Sequence, residues 1–355
     1  MTIDLIAARG LVSCPAPVAL DAVVQLGHGS GGKMSAALLR DRFLPHLGNP
    51  TLEQLGDAAI LPAAGDWLAF STDTFVVNPL EFPGGNIGSL AAHGTLNDLV
   101  MMGARPTALS AGFVLEEGLP LEVLDRVVAA LGHSARAAGV MVATGDTKVV
   151  ERGKADGMYL NTSGVGVVAP GFRPAPNRAR AGDVVVISGP VGRHGIAILA
   201  ARGAIAFEVD VVSDSAYLGP LVDRLRSSLG SDVHALRDPT RGGVASSLNE
   251  IAAASGVGIV LEEGAIPVPE AVAGACEMLG FDPLYVANEG VLVALVPGSR
   301  ADDALMALRE HRLGPEAAVI GRVVSDHPGL VVMKTGIGGT RIVDMLPGDQ
   351  LPRIC

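Results

Sequence analysis

Three kinds of side chain in this sequence can do chemistry together: a thiol, a set of carboxylates, and a lysine set among glycines. The thiol is Cys355, which closes the run Leu351-Pro352-Arg353-Ile354-Cys355. Pro352 fixes φ and removes a backbone donor. Arg353 favours thiolate and the adjacent α-carboxylate opposes it, so spacing alone does not sign the shift. Gly336, Gly338, Gly339 and Gly348 make the run from Lys334 read as a flexible arm. A reactive atom on an arm is the layout of a group carrier. By position alone, the default for such a thiol is an incidental small hydrophobe.

The carboxylates are Asp57, Asp73, Asp98 and Asp146, all expected at the ends of strands and helices. Singly, each reads as a turn residue or cap. Jointly, they can hold a phosphate-bearing ligand only through cations, and Mg²⁺ is the hard ion that bridges carboxylates and phosphates. The lysine lies in Gly27-His28-Gly29-Ser30-Gly31-Gly32-Lys33-Met34. That spacing is nearly a P-loop, but Met34 stands where a hydroxyl would hold the metal. Ser35 comes one residue late and is expected to point elsewhere. Glycine N–H groups still approach an anion here and Lys33 adds charge; a flexible linker is the alternative. His28 reads as an exposed loop residue. Glu289, between Asn288 and Gly290, reads from its neighbours as a solvated turn residue.

These residues need elements to position them. Periodicity predicts a helix over 35–44 and a strand over 67–70 that ends in Ser71-Thr72-Asp73-Thr74. A helix from about Asn86 carries Asn97-Asp98-Leu99, and a strand over 108–115 follows. An amphipathic helix shows Leu121, Leu124, Val128, Leu131, Ala135 and Ala138 on one face. A strand over 140–143 ends in Thr144-Gly145-Asp146-Thr147-Lys148, and 158–168 closes the unit. Pro170, Pro174 and Pro176 mark a linker over 169–181. A second unit of strands and helices runs over 182–334. It carries Arg237-Asp238-Pro239-Thr240-Arg241-Gly242-Gly243 at the opening of a helix. The expected layout is a glycine-rich segment 1–34, a first domain 35–168, a second domain 182–334 and a tail 335–355. Both domains read as α/β sandwiches, an α+β fold.

Bulk properties narrow the function. Hydrophobic residues make up 49% and aromatics 3%, so Ala, Val, Leu and Ile build the cores. A formal net charge of −11 argues against a general nucleic-acid binder. Cys14, Cys276 and Cys355 show no CxxC spacing and fit a reducing compartment, with Cys14 an ordinary small side chain. No apolar run approaches a membrane span. The expectation is a cytoplasmic protein with neither nucleic-acid nor membrane partners.

At Gly27 to Lys33, Gly56-Asp57-Ala58-Ala59, Ser71-Thr72-Asp73, Asn97-Asp98-Leu99, Gly145-Asp146-Thr147-Lys148, Asp238 to Gly243, Asn288-Glu289-Gly290 and Pro352-Arg353-Ile354-Cys355, the chain resembles a known superfamily. It is that of aminoimidazole ribonucleotide synthetase, selenophosphate synthetase and thiamine-phosphate kinase. Within it the chain is similar to the HypE family of carbamoyl dehydratases, along nearly its whole length. The resemblance implies a PurM-like two-domain fold and a homodimer whose first domains pair into a β-barrel. It implies ATP at the interface between first domains, under the glycine-rich segment. Gly29, Gly31, Gly32, Lys33, Asp57, Asp73, Asp98, Asp146, Thr147 and Asp238 would bind the nucleotide, with Mg²⁺ on Asp57, Asp73, Asp98 and Asp146. Cys355 would receive a carbamoyl group from the carbamoyltransferase HypF. ATP-dependent dehydration of this S-carboxamide to a thiocyanate would use Glu289 as base and Lys148 as its partner. The nitrile would pass to iron on a HypC–HypD complex, as the cyanide ligand of [NiFe] hydrogenase. Arg241 would contact phosphate or position the tail. A phosphotransferase of the same superfamily and a non-catalytic nucleotide-binding scaffold are the alternatives.

Overall fold

Alternation of buried and open side chains along extended strands builds the first sheet. The computed structural model describes residues 24, 26–29, 31–63, 66–203, 210–346, 348, 351 and 353–355. Cys14, Ser30 and Pro352 lie outside them. Helices α1 (Lys33–Leu38) and α2 (Leu44–Leu47), joined by a π-helical turn, precede strands β1 (Ala59–Ala63) and β2 (Asp66–Phe75). The short pair β3 (Glu81–Phe82) and β4 (Gly85–Asn86) leads into α3 (Ile87–Met101). Then come β5 (Ala104–Glu116), α4 (Leu121–Ala137), β6 (Met141–Val150) and β7 (Met158–Val168). The sheet order is β1-β2-β7-β5-β6, antiparallel except for the β5–β6 pair. On β2, Ala69, Ser71 and Phe75 turn inward. On β7, Met158, Leu160 and Thr162 do the same. Helix α3 covers this face. The other face, with Phe70 and Val165 exposed, has no helix over it among the described residues.

Helix α3 starts on a capping box. The Asn86 side chain accepts from Gly88 N (2.9 Å) and Ser89 N (3.1 Å), and Ser89 Oγ accepts from Asn86 N (3.0 Å). Gly88 lets α3 press on α4, since a Cβ there would meet the Val127 carbonyl oxygen at 2.1 Å. The buried stripe of α4 is Val127, Leu131, Ser134 and Ala135. Leu121 and Val128, expected on that stripe, are exposed. Val127 shares a face with Leu131, Ser134 and Ala135 at i, i+4, i+7 and i+8.

The second unit comprises β8 (Asp183–Ile187), α5 (Arg193–Ala201), α6 (Gly219–Leu229), β9 (Ala235–Arg237), α7 (Gly243–Ser255), β10 (Gly258–Glu262) and α8 (Glu270–Leu279). It ends with β11 (Val293–Pro297), α9 (Ala301–Arg309), β12 (Ala318–Val324), β13 (Val331–Lys334) and β14 (Thr340–Ile342). The sheet order is β14-β13-β10-β12-β8-β11-β9. Helix α7 covers one face through Val244, Leu248 and Ile251 against Val185, Ile187, Val293 and Leu295. Helices α6 and α9 cover the other through Leu221, Leu225 and Leu308 against Val186 and Ala294. Each of these sheets therefore has a helical layer, and the second has one on both sides.

Three expectations about extent change. Strand β2 continues through Asp73, and β6 through Asp146 and Lys148, so these residues lie within strands and not at their ends. Backbone pairing carries both strands past the apolar residues that periodicity detects: Asp73 pairs with Thr162, and Asp146 with Gly112. The glycines after Lys334 close a hairpin, with Thr335 N donating to Gly339 O (2.9 Å) and Gly338 at φ +86°. The stretch that reads as an arm from Lys334 is therefore, as far as Ile342, a hairpin in which β13 pairs with β14.

What remains of the tail is docked. Leu351 and Ile354 are each only 5% exposed and join a core shared by both units, with Phe82, Ile196, Ala197, Val272 and Val286. Val76 N donates to Cys355 O (3.0 Å) and Asn78 N to Arg353 O (3.2 Å). The tail thus adds a short antiparallel rung to the backbone that follows β2.

Candidate active site between the two units

The carboxylates of the first unit face a loop of the second. Asp57 precedes β1, Asp73 lies on β2 and Asp98 on α3. Opposite them, β9 and α7 are joined by 238–242. The turn in this loop needs glycine: Gly242 (φ +76°) and Gly243 (φ +62°) are left-handed, and a Cβ on Gly243 would meet the Leu284 carbonyl oxygen at 2.4 Å. Arg237 pairs with Asp57 of the first unit and with Glu250 of α7, which ties the units together at the site's floor. Carboxylate oxygens of Asp57, Asp98 and Asp238 come within 4.8 Å of one another.

Two side chains of α3 divide the labour. Asn97 is buried and crosses to the second unit: its Nδ2 donates to Ala216 O (3.0 Å) and its Oδ1 accepts from Leu218 N (2.8 Å). Asp98, next along, faces the carboxylates and accepts from Ser71 Oγ at 2.5 Å.

Glu289 is 2% exposed and is placed by its neighbours. Asn288 Nδ2 donates to Pro239 O (3.0 Å), which locks this turn against the 238–242 loop. Asp214 accepts from Glu289 N (3.2 Å) and Gly290 N (3.2 Å). Glu289 is thus a buried acid and not the solvated turn residue its neighbours imply. Its Oε1 has no hydrogen-bond partner, and neither has Oδ2 of Asp57.

Burial dominates the electrostatics. It pushes Asp57 well above the usual carboxylate range, with Arg237 opposing. It does the same to Asp98, reinforced by the charges of Asp73, Asp238 and Asp57. Asp73 is raised by burial, against hydrogen bonds and Arg241. Asp238 and Asp214 are each pushed up to about 6 by burial. Glu289 is raised well above its ordinary value by burial and by Asp238, Asp214 and Asp73, with Arg241 opposing. Arg241 is raised, first by the charge of Cys355 and then by those of Asp73, Glu289 and Asp98. The charges of the terminal residue and of the acidic cluster therefore act on the same guanidinium.

The glycine loop leans on that arginine. Arg241 Nη1 donates to Gly29 O (3.2 Å), and Gly31, at φ +75°, is so close that a Cβ would lie 2.9 Å from the Arg241 Cβ. Ser35 does not point away: its Oγ accepts from Gly31 N (2.9 Å) and donates to His28 O (2.9 Å). His28 is buried, contrary to its expected exposure. Lys33 pairs with Asp344, and its N–H donates to Leu346 O (2.8 Å).

Asp146, Thr147 and Lys148 are not brought to this cluster within one chain. They lie exposed on β6, with Lys148 Nζ 2.6 Å from Asp146 Oδ2. Three strand steps separate β6 from β2, roughly 14 Å across the sheet at the usual spacing. Asp238 takes the place expected of Asp146 among the grouped carboxylates. Sequence reasoning passed over Arg237, which stood unassigned in its motif, and Asp214, which no motif flags.

This arrangement has known counterparts. Residues 55–168 match the model of the AIR synthase related protein N-terminal domain, and 180–333 that of its C-terminal domain. The chain is 51% identical to the carbamoyl dehydratase HypE of Azotobacter vinelandii, over 94% of this chain and 97% of that one. The chain belongs to the HypE family. A crystal structure of a HypE–HypF complex superposes with a TM-score of 0.83 at 44% identity, covering 87% of this chain and 100% of that one. HypE in complex with ATP superposes at 0.79 with 51% identity, covering 94% and 100%. The two-domain PurM-like fold that the resemblance implies is the fold observed. Among the described residues no helix is long and apolar enough to cross a membrane.

Proposed function

We propose that this chain catalyses ATP-dependent dehydration of an S-carboxamide on Cys355 to a thiocyanate, supplying the cyanide ligand during [NiFe] hydrogenase maturation. The observation that carries this reading is the docked tail: Cys355 O accepts from Val76 N (3.0 Å), and the charges of Cys355, Asp73, Glu289 and Asp98 all act on Arg241. Cys355 packs against the apolar core shared by both units, and its charge acts on the same arginine as those of the buried acids.

The residues fit a metal-bound nucleotide. Asp57, Asp98 and Asp238 offer only oxygen, as a hard ion such as Mg²⁺ requires, and Asp57 Oδ2 is unsatisfied. Asp73 lies beside them. Cations would offset the mutual repulsion that raises these carboxyls. When bound, ATP supplies a phosphoryl group that converts the amide oxygen into a leaving group. Gly29, Gly31 and Gly32 lie over Arg241 and are placed to close that space. Lys33 anchors the same loop to Asp344.

The chain's own groups handle the protons. Turning an S-carboxamide into a nitrile breaks the C–O bond, removes both N–H protons and leaves oxygen on phosphate. Glu289 takes one N–H proton through its unpartnered Oε1, and the second leaves with the oxygen as hydrogen phosphate. Burial and the charges of Asp238, Asp214 and Asp73 raise the pKa of Glu289 and so strengthen it as a base, with Arg241 opposing. Asp214 and Asn288 hold the turn that aims it.

HypF is the expected carbamoyl donor and a HypC–HypD complex the acceptor. Asp146, Thr147 and Lys148 enter the site from a second copy. The open face of the first sheet and the exposed β6 edge, with Met141 and Val149 at 67% and 68% exposure, support pairing of two first domains. Calorimetry tests the nucleotide site. The Asp73→Asn and Asp98→Asn double variant is expected to lose Mg–ATP affinity by at least about tenfold, since each change removes a metal-bridging charge. Unchanged affinity would remove these residues from the site.

A further inference from the structure

The tail is held by more than its apolar residues. Arg353 sits at φ +60°, a left-handed conformation that non-glycine residues seldom adopt. Polar partners from three elements surround it. Its guanidinium pairs with Asp156, in the turn before β7, and Asp156 also accepts from Asn78 Nδ2 (3.0 Å). Arg202, at the end of α5, donates to the carbonyls of both Arg353 and Asn78. His194, in the first turn of α5, places Nε2 2.7 Å from Ile354 O and Nδ1 2.8 Å from Ser213 Oγ. A carbonyl only accepts, so Nε2 carries the proton and Nδ1 accepts from Ser213. Burial holds this ring neutral, its pKa pushed down to about 4.

These contacts read the tail's backbone and one side chain. We propose that Asp156, Arg202 and His194 form a latch that fixes the register of Arg353-Ile354-Cys355 and thereby sets how long the thiol dwells at the dehydration site. They are positioning residues. The Asp156–Arg353 pair is partly open to water, 44% and 33% exposed, so each charge contact is modest and the latch releases. A tail that visits an external carbamoyl donor needs such a release. The part of this inference that concerns dehydration rests on the function proposed above. The part that concerns docking does not.

Two readouts on the full-length protein separate them. The first is the rate at which iodoacetamide alkylates Cys355 in the uncarbamoylated protein. The second is the initial rate of ATP-dependent water loss from protein previously carbamoylated on Cys355. The Asp156→Ala and Arg202→Ala double variant is expected to raise alkylation and lower dehydration, each roughly tenfold, from the combined loss of charge-assisted hydrogen bonds. Mg–ATP affinity stays at the parent value. Exchanging the charges, Asp156→Arg with Arg353→Asp, is expected to recover most of the loss seen in Asp156→Ala alone. Unchanged alkylation in the double variant overturns the latch whatever dehydration does. An exchanged pair no better than Asp156→Ala overturns the assignment of Asp156. If the parent does not dehydrate but alkylation rises in the variant, the latch stands and the proposed function fails.

Discussion

The charges of Asp238 and Asp214 each make ionisation of Glu289 more costly. That cost suits a base facing a weakly acidic amide N–H. Glu289→Gln keeps the shape and removes the proton acceptor. Dehydration is expected to fall by about two to four orders of magnitude, with Mg–ATP affinity retained. Single-turnover measurement on carbamoylated protein checks this, and a variant at the parent rate would exclude Glu289 as the base. The motif Asn288-Glu289-Gly290 exposed this residue only through family resemblance. Its chemistry depends on Asp214, 75 positions away in sequence, and no local pattern reports that contact.

At the scale of elements, the order of strands and helices was legible because their apolar periodicity is strong, as at β7, where the expected bounds are those observed. The ends were less so. Strand β6 carries exposed polar and apolar side chains alike, because among the described residues it pairs on one side only, with β5. A period of burial is absent there, and the apolar run that marks the strand stops at Ala143, short of Val149 and Val150. The tail shows the opposite failure. Its few residues carry no periodicity, yet Leu351 and Ile354 bury themselves in a core assembled from α5, α8 and the segment after β2. Strand β6 yields a prediction. Val149→Asp puts charge on an exposed edge without touching the core, so the fold is expected to persist while self-association weakens by at least about tenfold. Sedimentation velocity checks it, and a parent-like association constant would remove β6 from the contact.

On the scale of the molecule, two α/β units meet along a crevice lined by buried acids, and that costs stability when no cation is bound. Asp214 is raised from 3.8 to about 6 by burial. A group raised in the folded state stabilises fully below its unfolded pKa, and that contribution is lost as pH rises through the folded value. The ligand-free protein should therefore lose stability between about pH 4 and pH 6 from this group, on the order of 3 kcal/mol at most. Asp214→Asn is expected to flatten that part of the profile, read as denaturation midpoints across pH, and an unaltered slope would contradict the assignment. The central claim concerns Cys355 itself. It is tested most directly by mass spectrometry of the C-terminal peptide after carbamoylation, before and after ATP is added. The account predicts loss of one water from a group on Cys355, absent in Cys355→Ala, whose nucleotide binding is retained. Modification on Cys14 or Cys276, or full ATP-dependent dehydration by Cys355→Ala, would contradict it.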